Sequence, residues 1–193
     1  MSDHSVTMDA DGREFNYPIY LDAEAIKKFI PHRDAMLFAQ SVIVLAHDHF
    51  TGEASWSENA FVFQGHFPGQ SVLPGVMIVE AAAQIAGIGL RAGDPIARST
   101  QKTHIGLLAG IRKCYFKRPV TPNMRLSFDL HTRQVTPDVA QVNGDVTCTE
   151  GSVATVEFIF AQVVTDMLLN KLGAVPSTSV AGAITNASNA NIS

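Results

Sequence analysis

With 193 residues, 46% of them hydrophobic and 17% charged, the chain is long enough for one domain whose core needs no metal or disulfide to hold it. A formal charge of −4 excludes nonspecific nucleic-acid binding as the main activity, since that takes a surplus of lysine and arginine to displace phosphate counterions. No run approaches the roughly 18 uninterrupted apolar residues of a membrane span.

In chain order, residues 1–20 are polar and aperiodic, and both they and the small, uncharged stretch 175–193 are expected to be disordered. Asp3, Asp9, Asp11 and Glu14 give the N-terminus none of the basic-then-apolar order of a secretion signal, so the expected location is cytoplasmic. Cys114 and Cys148 are then free thiols, and the sequons at Asn186 and Asn191 carry no weight. The folded unit is placed at 21–164, followed by a short helix over 165–172 and the tail.

Within that unit Asp22 caps a short helix over 23–30 that Pro31 stops. Residues 36–46 and 49–57 read as a hairpin turning at His47-Asp48. The segment 61–73, with Gly65, Pro68 and Gly69, reads as an ordered loop. Pro74-Gly75 then opens a helix reaching residue 91, apolar nearly all round, in which Glu80 and Gln84 share one stripe at i, i+4. A helix of that kind must be wrapped by other elements. Residues 103–116, 124–136, 139–149 and 152–164 read as strands separated by turn residues, which makes the fold class α+β: one buried helix and an antiparallel meander.

The chemistry concentrates between residues 63 and 84. A neutral His66 in an apolar loop can take a proton near pH 7, and desolvation of a carboxyl at Glu80 favours its acid form, which gives the base and acid an elimination requires. Gly75, at the positive end of the helix, offers a backbone amide to a developing oxyanion, and Gln84 is placed to support Glu80. The structural alternatives are a loop histidine bonded to a carbonyl, and an ion pair from Glu80 to Arg91 or Lys113. His47-Asp48-His49 holds metal-ligand letters but lacks further ligands at matching spacing, His104 and His131 included, so no metal is expected. Arg112, Lys113, Lys117 and Arg118 form a basic stripe that reads either as a solvated edge or as a docking patch for an acidic protein.

The segments IPHR (30–33), FQGHFPG (63–69), LPGVMIVEAAAQ (73–84), LLAGI (107–111) and FKRPV (116–120) together resemble the FabZ-type (3R)-hydroxyacyl-acyl carrier protein dehydratases over about residues 22–164. That resemblance implies a hotdog fold, an antiparallel sheet wrapped around the long helix. It also implies a double hotdog dimer joined edge to edge, with trimers of dimers usual. On the matching positions His66 corresponds to the catalytic histidine, Glu80 to the catalytic carboxylate reaching in from the other subunit, and Gly75 to the amide that polarises the thioester. The product implied is a trans-2-enoyl thioester, with no cofactor beyond the phosphopantetheine arm of the acyl carrier protein, which the basic stripe would receive. An acyl tunnel is expected along Phe63, Ile78 and Ile85. Gln40-Ser41, Arg112 and Asn123-Met124 depart from the family pattern, which points away from the housekeeping fatty acid synthase role and toward a specialised pathway such as polyketide or polyene assembly, so the expected function is dehydration in fatty acid or related polyketide or polyene biosynthesis. The rival functions are a hotdog thioesterase and a noncatalytic acyl-binding shell.

Overall fold

The structure, a computed structural model, describes residues 16–94, 97, 98 and 103–171. The expectations for residues 1–15 and for the tail from residue 172 onward, sequons included, lie outside the described residues. Seven strands form one antiparallel sheet: β1 (Ile19–Leu21), β2 (Ala39–Ala46), β3 (His49–Ala54), β4 (His104–Phe116), β5 (Leu126–Thr136), β6 (Val139–Cys148) and β7 (Gly151–Val164). Their spatial order is β1-β2-β3-β5-β6-β7-β4, which leaves β4 at one edge. Helices α1 (Ala23–Ile26), α2 (Gly75–Gly93) and α3 (Thr165–Lys171) accompany them.

The helix α2 lies against one face of this sheet, touching β2, β3, β4, β5 and β7, as the hotdog arrangement requires. By length and composition α2 could cross a membrane, but 78% of its apolar window is buried within the fold, so its hydrophobicity is used up by the sheet. Strand alternation supplies the opposite wall. On β3 Phe50, Gly52 and Ala54 are buried while His49, Thr51 and Glu53 face outward, and Leu126, Phe128 and Leu130 of β5 repeat the pattern. Phe50, Phe128 and Phe158 are fully buried, each contributing about 1.5–3 kcal/mol relative to exposure.

Among the boundaries that differ from the sequence reading, three have a clear local reason. Asp22 does cap α1, accepting from the amides of Glu24 and Ala25 at 3.1 and 2.8 Å. The helix stops at Ile26 and not residue 30: the amides of Lys28 and Phe29 bond the carbonyls of Ala25 and Ile26 three residues back, at 3.1 and 2.9 Å, which tightens the turn, and the Arg33 guanidinium takes the carbonyls of Lys27, Ile30 and His32 beyond it. The second strand starts at Ala39 and not residue 36. Residues 34–36 form a 3-10 turn, and the Gln84 side chain accepts from the amides of Phe38 and Ala39 at 2.8 and 3.3 Å. Finally, β1 begins at Ile19, inside the stretch read as disordered. Its three residues pair with β2, Ile19 opposite Val44, and are too few to show a period.

Candidate active site

His66 sits in a loop whose shape depends on glycine. Gly65 and Gly69 have φ of 81° and 80°, the left-handed region where a Cβ is penalised. Phe67 and Gln70 exchange two backbone hydrogen bonds of 3.0 Å, and the Val72 amide donates to the His66 carbonyl at 3.1 Å. His66 Nδ1 lies 2.8 Å from the Val72 carbonyl oxygen. A carbonyl only accepts, so this bond requires the proton on Nδ1 and leaves the lone pair of the neutral ring on Nε2. Gly75 opens α2 beside this loop, and a Cβ built there would come within 2.6 Å of the Phe116 ring. A cavity of about 280 Å³ opens at this point, bordered by Val72, Gly75, Ile78, Phe116, Lys117 and Arg118.

Glu80 belongs to a second cluster, one turn into α2. Gln84, buried four residues on, donates from Nε2 to Glu80 Oε1 at 2.9 Å and to the Met36 carbonyl at 2.8 Å, while its Oε1 takes the two amides at the start of β2. His32 Nε2 stands 3.4 Å from the same Glu80 oxygen. The ionisable neighbour of Glu80 is therefore His32 and neither Arg91 nor Lys113. Arg91 donates instead to the carbonyls of Phe29 and His104, at 2.7 and 2.8 Å. Burial pushes the Glu80 carboxyl up, but the hydrogen bonds from His32 and Gln84 and the charge of His32 outweigh it, holding the group below the ordinary carboxylate value. This corrects the expectation that desolvation alone would favour the acid form. His32 was not singled out from the sequence. Its signal was the IPHR segment, whose only tie to Glu80 is tertiary.

Among the described residues no hydrogen bond or ion pair joins His66 to Glu80 within one chain. Glu80 borders a different cavity of about 130 Å³, with His32, Gln84, Gly87 and Arg91 in its walls. Of the residues expected to line an acyl tunnel, Ile78 borders the Gly75 cavity. Phe63 and Ile85 border neither: both are buried in the core, and Ile85 packs against Gly52 of β3, on the side of α2 that faces the sheet.

The basic stripe is divided and partly neutralised. Register places Glu157 of β7 opposite Lys113, so Arg112 comes within 3.9 Å of that carboxylate, and Lys113 lies over the Tyr115 ring. Lys117 donates to the Ser152 hydroxyl at 3.2 Å, and Arg118 pairs with Glu150. Lys117 and Arg118 nevertheless flank the Gly75 cavity. Three possible metal ligands do converge elsewhere. His49, Asp129 and His131 lie within 4.8 Å of one another because β3 and β5 pair His49 with His131, a proximity that sequence spacing could not show. They stand on the outward face of the sheet, opposite α2, and Asp129 already engages His49 at 2.6 Å.

Comparison with known proteins places this geometry. The model of the FabA-like domain matches residues 30–157. The chain belongs to the FabA-like family. Family relatives include the 3-hydroxyacyl-[acyl-carrier-protein] dehydratase FabZ of Bacillus pumilus, 36% identical over 135 residues that cover 66% of this chain and 90% of that protein. The FabZ dehydratase of Caldanaerobacter subterraneus is 33% identical over 141 residues, covering 72% and 96%. Among solved structures, the dehydratase heterocomplex ApeI:P from Xenorhabdus doucetiae superposes with a TM-score of 0.60 at 17% identity, covering 82% of this chain and 99% of that one, a likeness of fold. In this FabA-like chain the matched span takes in both His66 and Glu80.

Proposed function

We propose that the protein dehydrates 3-hydroxyacyl-[acyl-carrier-protein] to the trans-2-enoyl thioester, in fatty acid or related polyketide or polyene synthesis in the cytoplasm. The observation that carries the arrangement of the site is its division into two halves along the free edge of the sheet. The His66 half borders Phe116 to Arg118, the Glu80 half borders Gly106 to Leu108, and Leu107, Ile111, Tyr115 and Phe116 of β4 are exposed between them. An exposed apolar edge strand invites pairing. Antiparallel pairing of β4 with its own copy, centred on Arg112, sets Gly106–Leu108 of one subunit opposite Phe116–Arg118 of the other. Each active site then takes His66 and Gly75 from one chain and Glu80 with His32 and Gln84 from its partner.

In that composite site Gly75 donates its amide to the thioester oxygen and stabilises the charge that develops when His66 Nε2 removes the α-proton. Glu80 rests as an anion. It takes up a proton when the acyl chain and the second subunit strip solvent from it, and passes that proton to the departing β-hydroxyl, which leaves as water. The reaction needs no redox partner, since one proton leaves carbon and one returns on oxygen. Lys117 and Arg118, beside the Gly75 cavity, meet the acidic carrier protein and guide its phosphopantetheine arm inward.

The test is mass spectrometry of the purified protein with 3-hydroxyacyl-carrier-protein thioesters, scoring loss of water. Loss of water that disappears in His66→Ala supports the reading. Release of free acid instead would assign a thioesterase, and an unchanged substrate an acyl-binding shell.

A further inference from the structure

The Glu80 cavity has an end that dehydration itself does not use. Glu80, Gln84, Gly87 and Arg91 follow one another in steps of four, three and four residues, so they share one stripe of α2 and border the same cavity. Arg91 is only 5% exposed. A buried guanidinium is ordinarily matched by a carboxylate, because an uncompensated charge away from water is strongly unfavourable. Among the described residues Arg91 has none. It donates to the Phe29 and His104 carbonyls at 2.7 and 2.8 Å, and its Nε is buried without an acceptor. Burial also lowers its pKa, the sign of a charge held in poor surroundings.

We infer that this end of the cavity receives an oxygen at the far end of the acyl chain, so that the preferred substrate is a 3-hydroxyacyl chain terminating in a hydroxyl or carboxylate. The inference rests on the dehydratase reading. Ile30, Leu108 and Phe160 line the same cavity, so the chain passes apolar walls before it meets Arg91, the one buried cation among the described residues. The volume of about 130 Å³ is close to that of a cavity known to take up a benzene ring, enough for a short terminal group. A methyl end brought to Arg91 would press apolar surface on a charge that has no counter-charge, whereas an oxygen brings the guanidinium the negative end of a dipole or a carboxylate. Binding of this kind discriminates strongly, since the penalty falls on the analogue that lacks the acceptor.

The test uses the full-length wild-type protein and 3-hydroxyacyl-carrier-protein substrates of graded length, each made with a methyl, a hydroxyl or a carboxylate end. The expected result is a kcat/KM for an oxygen-ended chain that exceeds its methyl-ended counterpart by about tenfold to a hundredfold, the scale of a hydrogen bond to a charged group. Preference for carboxylate over hydroxyl identifies the end as anionic, and the reverse as neutral. Arg91→Met should invert the preference. If that variant does not fold, Arg91→Lys and the wild-type comparison still decide. Methyl-ended chains dehydrated as fast or faster at every length would overturn the inference while leaving the dehydratase reading intact. Failure of every substrate would remove both.

Discussion

At the scale of single residues, the proposed site rests on two side chains that are each held in place by their neighbours. The Val72 carbonyl fixes the His66 tautomer, and Gln84 with His32 fixes the Glu80 carboxylate. His66→Ala is expected to abolish turnover without loss of fold, and Glu80→Gln to lower kcat by about a hundredfold or more, the scale of an acid-base contribution, both read by the water-loss assay. Near-normal activity in Glu80→Gln would remove that residue from the mechanism. His32→Ala strips the Glu80 carboxyl of its cation and one hydrogen bond, so burial should dominate and its pKa should rise, as followed by NMR titration of labelled glutamate. The sign for stability is the usual one for a depressed carboxylate. With a folded value below 4.5, the contribution of Glu80 is complete above that pH and fades as the pH falls through the folded value. Urea unfolding at descending pH should therefore show the gap between wild type and Glu80→Gln shrinking below pH 4.5, and a gap that stays constant there would contradict the ion-pair account.

At the scale of elements, α2 serves as both core and scaffold. Its sheet-facing side carries Ile85 into the core, while the Glu80 to Arg91 stripe borders a cavity and its first residue lies under Phe116. Gly75→Ala sets a methyl against the far end of that half-exposed ring, which can swing aside at little cost in stability. The added methyl also crowds the approach to the amide, so kcat should fall by up to about a hundredfold, the scale of a lost oxyanion donor. Crystallography of the variant would show Phe116 moved. β4 carries Arg112 and Lys113 and runs directly into Lys117 and Arg118, and the partners of these residues limit what charge reversal can do. Arg112→Glu with Lys117→Glu should raise KM for a carrier-protein substrate and hardly change that for a coenzyme A thioester. Equal changes in both would assign the stripe to strand packing.

At the scale of the whole molecule, the proposed sharing of the site between two subunits predicts that activity belongs to the dimer. Glu80→Gln and His66→Ala are each expected to be severely impaired alone. Coexpressed, they should recover activity, because a mixed dimer contains one site with both native residues. No recovery in a verified mixed dimer would place the site within a single chain.

Much of this was readable in the residues themselves. The all-apolar pattern of residues 75–93 required a wrapped helix, and period-two strands between turn residues supplied the sheet, since burial on one face writes itself into local order. Of the proposed site residues, Glu80 stood out in the sequence because a carboxylate on an apolar helix is hard to explain otherwise, whereas His66 and Gly75 stood out through their place beside it and through the family resemblance. The His32 contact with Glu80, the convergence of His49 with His131, the separation of the two half-sites and the orphaned donor of Arg91 were decided only by tertiary structure. Each depends on which strands and turns lie side by side. Pairing order and register join residues far apart in the chain, and no local period encodes them.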